Sequence, residues 1–153
     1  MAKILAINIS ETKGVIKKSV DEVLLIEDFG IENDAHAGKW HRQVSLLGQE
    51  SVDKMIAKGL DYLVPGIFAE NLTTEGIILY ELPVGTVLQI GKTIHEVTQI
   101  GKECHTGCEI KKITGDCVMP REGIFTKVLK GGILRSGDEI VILEKKAETF
   151  VMK

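Results

Sequence analysis

The stretch GKECHTGCEIKKITGDCVMPREGIF, from Gly101 to Phe125, holds all three cysteines of the chain and a histidine beside the first. Cys104, His105, Cys108 and Cys117 are four soft or borderline ligands, enough in number for a tetrahedral zinc. Their spacing suits that use poorly. Adjacent side chains at 104 and 105 point in different directions, and the paired C-x2-C knuckle of structural clasps is absent. A structural zinc held by these four residues is therefore the alternative expectation. A disulfide frame is disfavoured, because the cysteine count is odd and thiols stay free in a reducing compartment.

The remaining chemistry is that of a single working sulfur. Lys102 and His105 bracket Cys104, and Gly101 and Gly107 give the backbone freedom to let another molecule approach. Cationic neighbours favour thiolate over thiol, and the thiolate is the form that attacks sulfur or carbon and ligates a soft metal. Glu103 opposes that shift. Cys108 and Cys117 read more simply as small buried apolar residues, the common fate of a free cysteine.

The elements that must position this segment are mostly strands. Alternating or apolar runs recur between glycine-rich breaks: KILAINIS, EVLLIEDFG, QVSLL, GIILYELPVGTVLQIG, TIHEVTQI, GIFTKVLKGG and DEIVILEKK. Short strands spaced by turn signals predict a barrel or closed sheet. Gly91 and Lys92 separate two alternating runs, which predicts a hairpin there, with His95 inside its second strand. The segment GQESVDKMIAKGLD places Val52, Met55 and Ile56 at helical spacing with Gly59 as a stop, so one amphipathic helix follows QVSLL. A weaker helical pattern runs from Cys104 to Ile113.

With 153 residues, 44% of them apolar, the chain has material for one ordinary core, and residues 1–153 are expected to form a single domain. The formal charge of −3 leaves no electrostatic case for gripping a nucleic-acid backbone. The opening residues MAKILAINIS lack a secretory pattern, and no run reaches the roughly 18 apolar residues of a membrane span. A cytoplasmic protein with neither nucleic-acid nor membrane partners is expected.

Three ordered blocks carry a resemblance: NDAHAGKWHRQVSLLGQE, then GIFAENLTTEGIILYELPVGTVLQIG, then VTQIGKECHTGCEIKKITGDCVMPREGIFTKVLKGGILRSGDEI. Together they resemble the MOSC domain, named after the C-terminal domain of molybdenum cofactor sulfurases, and the likeness extends from about Ser10 to Leu143. It is most similar to the small stand-alone bacterial members. The resemblance implies a mainly β (α+β) fold with a few helices and a barrel-like core similar to the β-barrel domain of pyruvate kinase. It also implies one functional cysteine after the long hairpin and upstream of Gly123–Ile124–Phe125, which is Cys104 here. Lys102 and Glu103 stand where relatives often carry Arg and Pro, and Cys108 is the runner-up.

Two roles follow from the resemblance: sulfur carriage as a Cys104 persulfide, or binding of the molybdenum cofactor with Cys104 on the metal. A pyridoxal phosphate-dependent cysteine desulfurase would be the sulfur donor, and a molybdoenzyme or cofactor-biosynthesis protein the acceptor. A molybdenum-dependent reductase of N-hydroxylated compounds is a further alternative. Asp34, His36 and Arg42 in the family's Asp-x-His-x-Gly block, Glu70 and Asn71 in FAENLTTEG, and Arg121 after Pro120 are the expected cofactor-binding residues. Lys111 or Lys112 could assist Arg121.

Overall fold

The computed structural model describes residues 2–12, 15–57, 65–101 and 122–144. In chain order the strands are β1 (Lys3–Ile9), β2 (Lys18–Val20), β3 (Glu22–Ile26), β4 (Gly30–Ile31) and β5 (Val44–Gly48). The helix α1 (Gln49–Ala57) follows, then β6 (Leu72–Glu75), β7 (Val87–Ile90), β8 (Thr93–Ile100), β9 (Ile124–Lys130), β10 (Gly132–Arg135) and β11 (Ile140–Glu144). The main sheet has eight strands in the order β11-β7-β8-β9-β5-β6-β1-β2. Lys3 bridges Glu139, and hydrogen bonds from Ile4 N to Asp138 O (2.8 Å) and from Ile140 N to Ala2 O (2.9 Å) tie the β11 end back to β1. The sheet thus curls into a barrel-like ring, which removes most of its open edge. A three-stranded sheet, β10-β3-β4, lies beside it.

Alternation along single strands builds two cores at once. On β5 every residue is buried: Leu46 joins the cluster inside the ring with Ile4, Leu72 and Ile124, while Leu47 turns the other way. There it meets Val52 and Met55 of α1 together with Phe68 and Phe125. Ile124 and Phe125 divide in the same manner on β9. Strand β5 pairs in parallel with β6, Leu46 opposite Leu72, so a crossover is required, and α1 lies within it over the outer face. Helix α1 carries Glu50 in its first turn, whose carboxylate also accepts from Gly76 N at 2.7 Å. Among the described residues no helix is long and apolar enough to cross a membrane.

The expected hairpin is present, with Ile90 opposite Thr93. Gly91 takes φ +59 at the first of the two loop positions, where a type II′ turn requires glycine. The run GIILYELPVGTVLQIG is strand only over Val87–Ile90. Leu79–Glu81 forms a 3-10 turn instead, and Leu82, held extended at φ −83 and ψ 121, precedes the Pro83 ring that forbids helical geometry there. Four further strands among the described residues, β2, β4, β6 and β10, are too short for the alternation pattern to reveal. The helix expected from Cys104, the stop at Gly59 and the tail after Glu144 lie outside the described residues.

His95 sits within the ring at 0% exposure. Thr93 Oγ1 donates to Ile90 O at 2.8 Å, so its contact with His95 Nε2 at 2.9 Å must be accepted from an Nε2–H. Nδ1 then receives the Thr126 hydroxyl at 3.1 Å, and the ring is neutral. Burial lowers the His95 pKa from 6.5 to about 4. Between those pH values the unfolded chain binds a proton that the folded chain refuses, so stability is full above 6.5 and falls as the pH drops towards 4. The loss is expected to be about 3 kcal/mol. Urea unfolding of the protein at pH 7 and pH 4 should show it, and a folded His95→Gln variant should lack that component.

Candidate functional site

Asp34 is presented by a tight loop after β4. Asn33 adopts φ +71, a conformation Asn tolerates better than most residues, and Asp34 N donates to Ile31 O at 3.1 Å. The carboxylate then collects four groups from three segments. Oδ1 accepts from Lys17 Nζ at 2.8 Å and from Ser10 N at 3.1 Å. Oδ2 accepts from His36 N at 3.0 Å and lies 3.7 Å from His36 Nδ1. Lys17 Nζ also donates to Ser10 Oγ at 2.9 Å. The side chains of Lys17 and Asp34 have no exposed surface, whereas that of His36 keeps 10%.

Burial alone would raise the Asp34 pKa, but the hydrogen bonds from His36 and Lys17 and the Lys17 charge outweigh it and hold the carboxyl well below the usual range. The pair is ionised at neutral pH. Its placement depends on close backbone contact, because Lys17 N donates to Gly66 O at 3.0 Å, and a Cβ on Gly66 would stand 2.4 Å from Lys17 O. Gly66 takes φ +88, so any other residue would meet both strain and collision.

Gly66 opens the loop that carries Glu70 and Asn71. These two, expected among the cofactor-binding residues, both lie inside the protein at 0% exposure. Glu70 accepts from Gly66 N (3.1 Å), Phe68 N (3.2 Å) and Thr73 Oγ1 (2.8 Å). Burial raises its pKa, and those three bonds partly offset the rise. Asn71 fills a gap between strands: its amide donates to Asn8 O at 3.1 Å and its Oδ1 accepts from Ser45 N at 2.9 Å. Just before them, Ala69 is held at φ +62, which costs a non-glycine residue about 1–2 kcal/mol. Glu70 and Asn71 are therefore the latch that shapes the loop under Lys17, since their polar atoms are committed to protein partners.

Arg42 stands at the start of β5 beside the end of β8. Its Nε donates to Gln99 Oε1 at 3.1 Å, and its guanidinium lies 5.4 Å from the Phe125 ring centre and 6.0 Å from that of Trp40. No protein acceptor binds its two terminal amino groups among the described residues. Gln99 is the coupler. Its Oε1 also meets His41 Nε2 at 2.9 Å, while its Nε2 donates to Gly101 O at 2.7 Å. That orientation makes His41 Nε2 the donor. Trp40 Nε1 donates to His36 O at 2.7 Å, which joins the Arg42 group to the Asp34 group. Gly101 N in turn donates to Gly123 O at 2.6 Å, pinching together the two ends of the cysteine segment.

Asp34, His36 and Arg42 are thus brought to one end of the barrel. Cys104, Cys108, Cys117, His105, Arg121, Lys111 and Lys112 lie outside the described residues. Among the described residues no cluster of three His, Cys, Asp or Glu side chains could hold a metal. Sequence reasoning missed Lys17, Ser10 and Gln99. Nothing in GVIKKSV separates buried Lys17 from exposed Lys18, and Gln99 reads as an ordinary outward residue of an alternating strand. A cleft of about 560 Å³ adjoins the Asp34 group, lined by Ile9, Ser10, Thr12, Val15, Ile16 and Asn33 among others. Its size is that of a small-molecule pocket.

A family model described as the MOSC domain matches residues 33–141. The fold is similar to the crystal structure of the YUAD protein from Bacillus subtilis, with a TM-score of 0.77 and 20% identity over 91% of this chain and 93% of that one. It is also similar to YiiM from Geobacillus stearothermophilus, with a TM-score of 0.70 and 20% identity over 94% of this chain and 76% of that one. For YiiM from Escherichia coli the TM-score is 0.71 and the identity 17%, over 97% of this chain and 72% of that one. A search of curated proteins returns no match.

The buried pair makes a mutational prediction. Lys17→Met leaves an uncompensated buried carboxylate and should cost about 3–5 kcal/mol in chemical denaturation. Removing both charges, as Lys17→Met with Asp34→Asn, should recover most of that loss.

Proposed function

Since the chain belongs to the MOSC domain family, with a match that spans both the Asp34–Arg42 loop and the cysteine segment, we propose that it serves the molybdenum cofactor through Cys104, chiefly as a sulfur carrier. The observation that carries this reading is Gln99, which holds Arg42 and His41 with one end of its amide and the entrance of the cysteine segment, Gly101 O, with the other. A residue of chain spans at most about 3.6 Å, so Cys104 stays within about 11 Å of Gly101. On this proposal the sulfur works at the end of the barrel where Asp34, His36 and Arg42 gather.

The residues fit an anionic pterin cofactor. Arg42 keeps its terminal amino groups for an outside acceptor while Phe125 and Trp40 flank the guanidinium, a geometry suited to a phosphate. His36 and, from the sequence, Arg121 are the other contacts, while Glu70 and Asn71 act from behind by shaping the loop. When bound, the cofactor would supply a redox-active metal; Cys104 would hold that metal in the alternative to sulfur carriage.

In sulfur carriage the Cys104 thiolate attacks the outer sulfur of a persulfide on the donor, the donor's sulfur–sulfur bond breaks, and the donor leaves as a thiolate. The sulfane sulfur stays on Cys104 as a persulfide, with no net oxidation or reduction. The neighbouring Lys102 and, when protonated, His105 favour the thiolate that begins the exchange. A pyridoxal phosphate-dependent cysteine desulfurase is the donor, and a molybdoenzyme or cofactor-biosynthesis protein the acceptor. A reducing cytoplasm keeps the thiol available.

Mass spectrometry after incubation with a cysteine desulfurase and cysteine tests this reading. One sulfur, about 32 Da, should appear on Cys104, be removed by dithiothreitol, and be absent from Cys104→Ser. An adduct confined to Cys108 or Cys117, or one stoichiometric zinc with all three thiols protected, would contradict it.

A further inference from the structure

The cleft of about 560 Å³ beside the Asp34 group does not end there. Ile9, Val20 and Asn33 also line a second cleft of about 300 Å³, which continues over the small sheet to Leu24 and Ile133. The two make one furrow between the β1–β2 hairpin and strands β3 and β10. Val15 and Ile16 supply apolar surface at the Asp34 end, Ile9 and Val20 in the middle, and Leu24 and Ile133 at the far end. The last two stand opposite each other across β3 and β10 and keep 38% and 42% of their surface exposed. Apolar side chains left together at the surface and rimmed by polar ones mark an interaction site.

The rim is acidic. Residues 21–32, DEVLLIEDFGIE, carry five carboxylates and no cation. Glu22 and Glu32 of that stretch line the furrow, as does Glu11. Lys18 stands against them, and Arg135 is taken up by Glu22 at 3.0 Å. Among the described residues no cation lies within salt-bridge distance of Glu11 or Glu32. Such a rim repels an anionic lipid surface or a nucleic-acid backbone and draws in a chain that carries positive charge. A long, narrow furrow also suits an extended segment, whose alternate side chains point down into the apolar floor and out to the rim.

We propose that this furrow is a docking surface for a protein partner that presents an extended basic segment with apolar side chains. Leu24 and Ile133 receive the apolar side chains, and Glu11 and Glu32 meet the cations. One end of the docked segment lies against Ser10 and Asn33, and Ser10 N is itself a donor to Asp34 at 3.1 Å, so the partner arrives beside the candidate site. The surface is distinct from the sulfur chemistry and does not depend on Cys104.

Two peptides of equal length, one alternating lysine with leucine and the other glutamate with leucine, test the proposal by NMR titration of the full chain. The Lys–Leu peptide should shift the amide signals of Leu24, Glu32, Asn33 and Ile133, and added salt should weaken its binding. Leu24→Ser with Ile133→Ser should weaken it about tenfold by removing both apolar anchors. Glu11→Gln with Glu32→Gln keeps the shape of the rim and should weaken binding while flattening its salt dependence. All four positions are exposed, and each pair serves as the test if the other does not fold. A Glu–Leu peptide that binds as well, no binding by the Lys–Leu peptide, shifts centred on Val141–Leu143 or scattered over the surface, or unchanged affinity in either folded variant would overturn the proposal. So would movement of the same four signals as the protein alone is concentrated, since that would give the furrow to a second copy of the chain. Persulfide formation plays no part in the titration, so either reading can fail without the other.

Discussion

A lysine and an aspartate 2.8 Å apart, both sealed from water, join three separate segments at one end of a β-barrel. Charges in a dry environment are costly to separate, so neither partner can move without the other, and whatever hangs from them is fixed too. Ser10, His36 and the Gly66 loop all hang from them. The barrel makes the pair possible by supplying the apolar surroundings, and the pair returns a rigid polar platform that the apolar core could not provide.

The same economy governs the layers beneath. Strands β5 and β9 bury alternate residues on opposite faces, so one short stretch serves both the barrel interior and the helix cluster. Phe125 belongs to the helix cluster and still offers its ring to Arg42. Gln43, one residue further along, donates to Asp28 at 3.1 Å and accepts from Val128 N at 2.8 Å, tying the small sheet's turn to β9. Consecutive residues at the mouth of β5 therefore do different work: Arg42 has no acceptor on its terminal amino groups among the described residues, while Gln43 braces the fold.

Much of the fold was legible because it is written in alternation and punctuation. The hairpin at Gly91 and the long strands β8 and β9 repeat with a clear period and end at glycine, and the helix after β5 shows a helical period. Strands of two to four residues, such as β4 and β10, are too short to show a period, and Leu79 is buried from a 3-10 turn for packing reasons unrelated to pleating. At the site, Asp34, His36 and Arg42 could be found because they stand together in one block. Lys17 could not, since what makes it special is a partner distant in sequence. Glu70 and Asn71 were expected to bind the cofactor, and what the sequence does not carry is their burial and their hydrogen bonds to Gly66, Phe68, Thr73, Asn8 and Ser45.

The central claim is that the cysteine segment and the Asp34–Arg42 loop form a single site. A nitroxide attached to Cys104, with Cys108 and Cys117 replaced by serine, tests it through paramagnetic broadening of assigned NMR signals. Strong broadening of the Trp40 indole N–H, the His36 ring and the Gln99 side-chain amide is expected, with β10 and the far side of β3 spared. Sharp signals at Trp40, His36 and Gln99, with broadening concentrated elsewhere on the barrel, would contradict it.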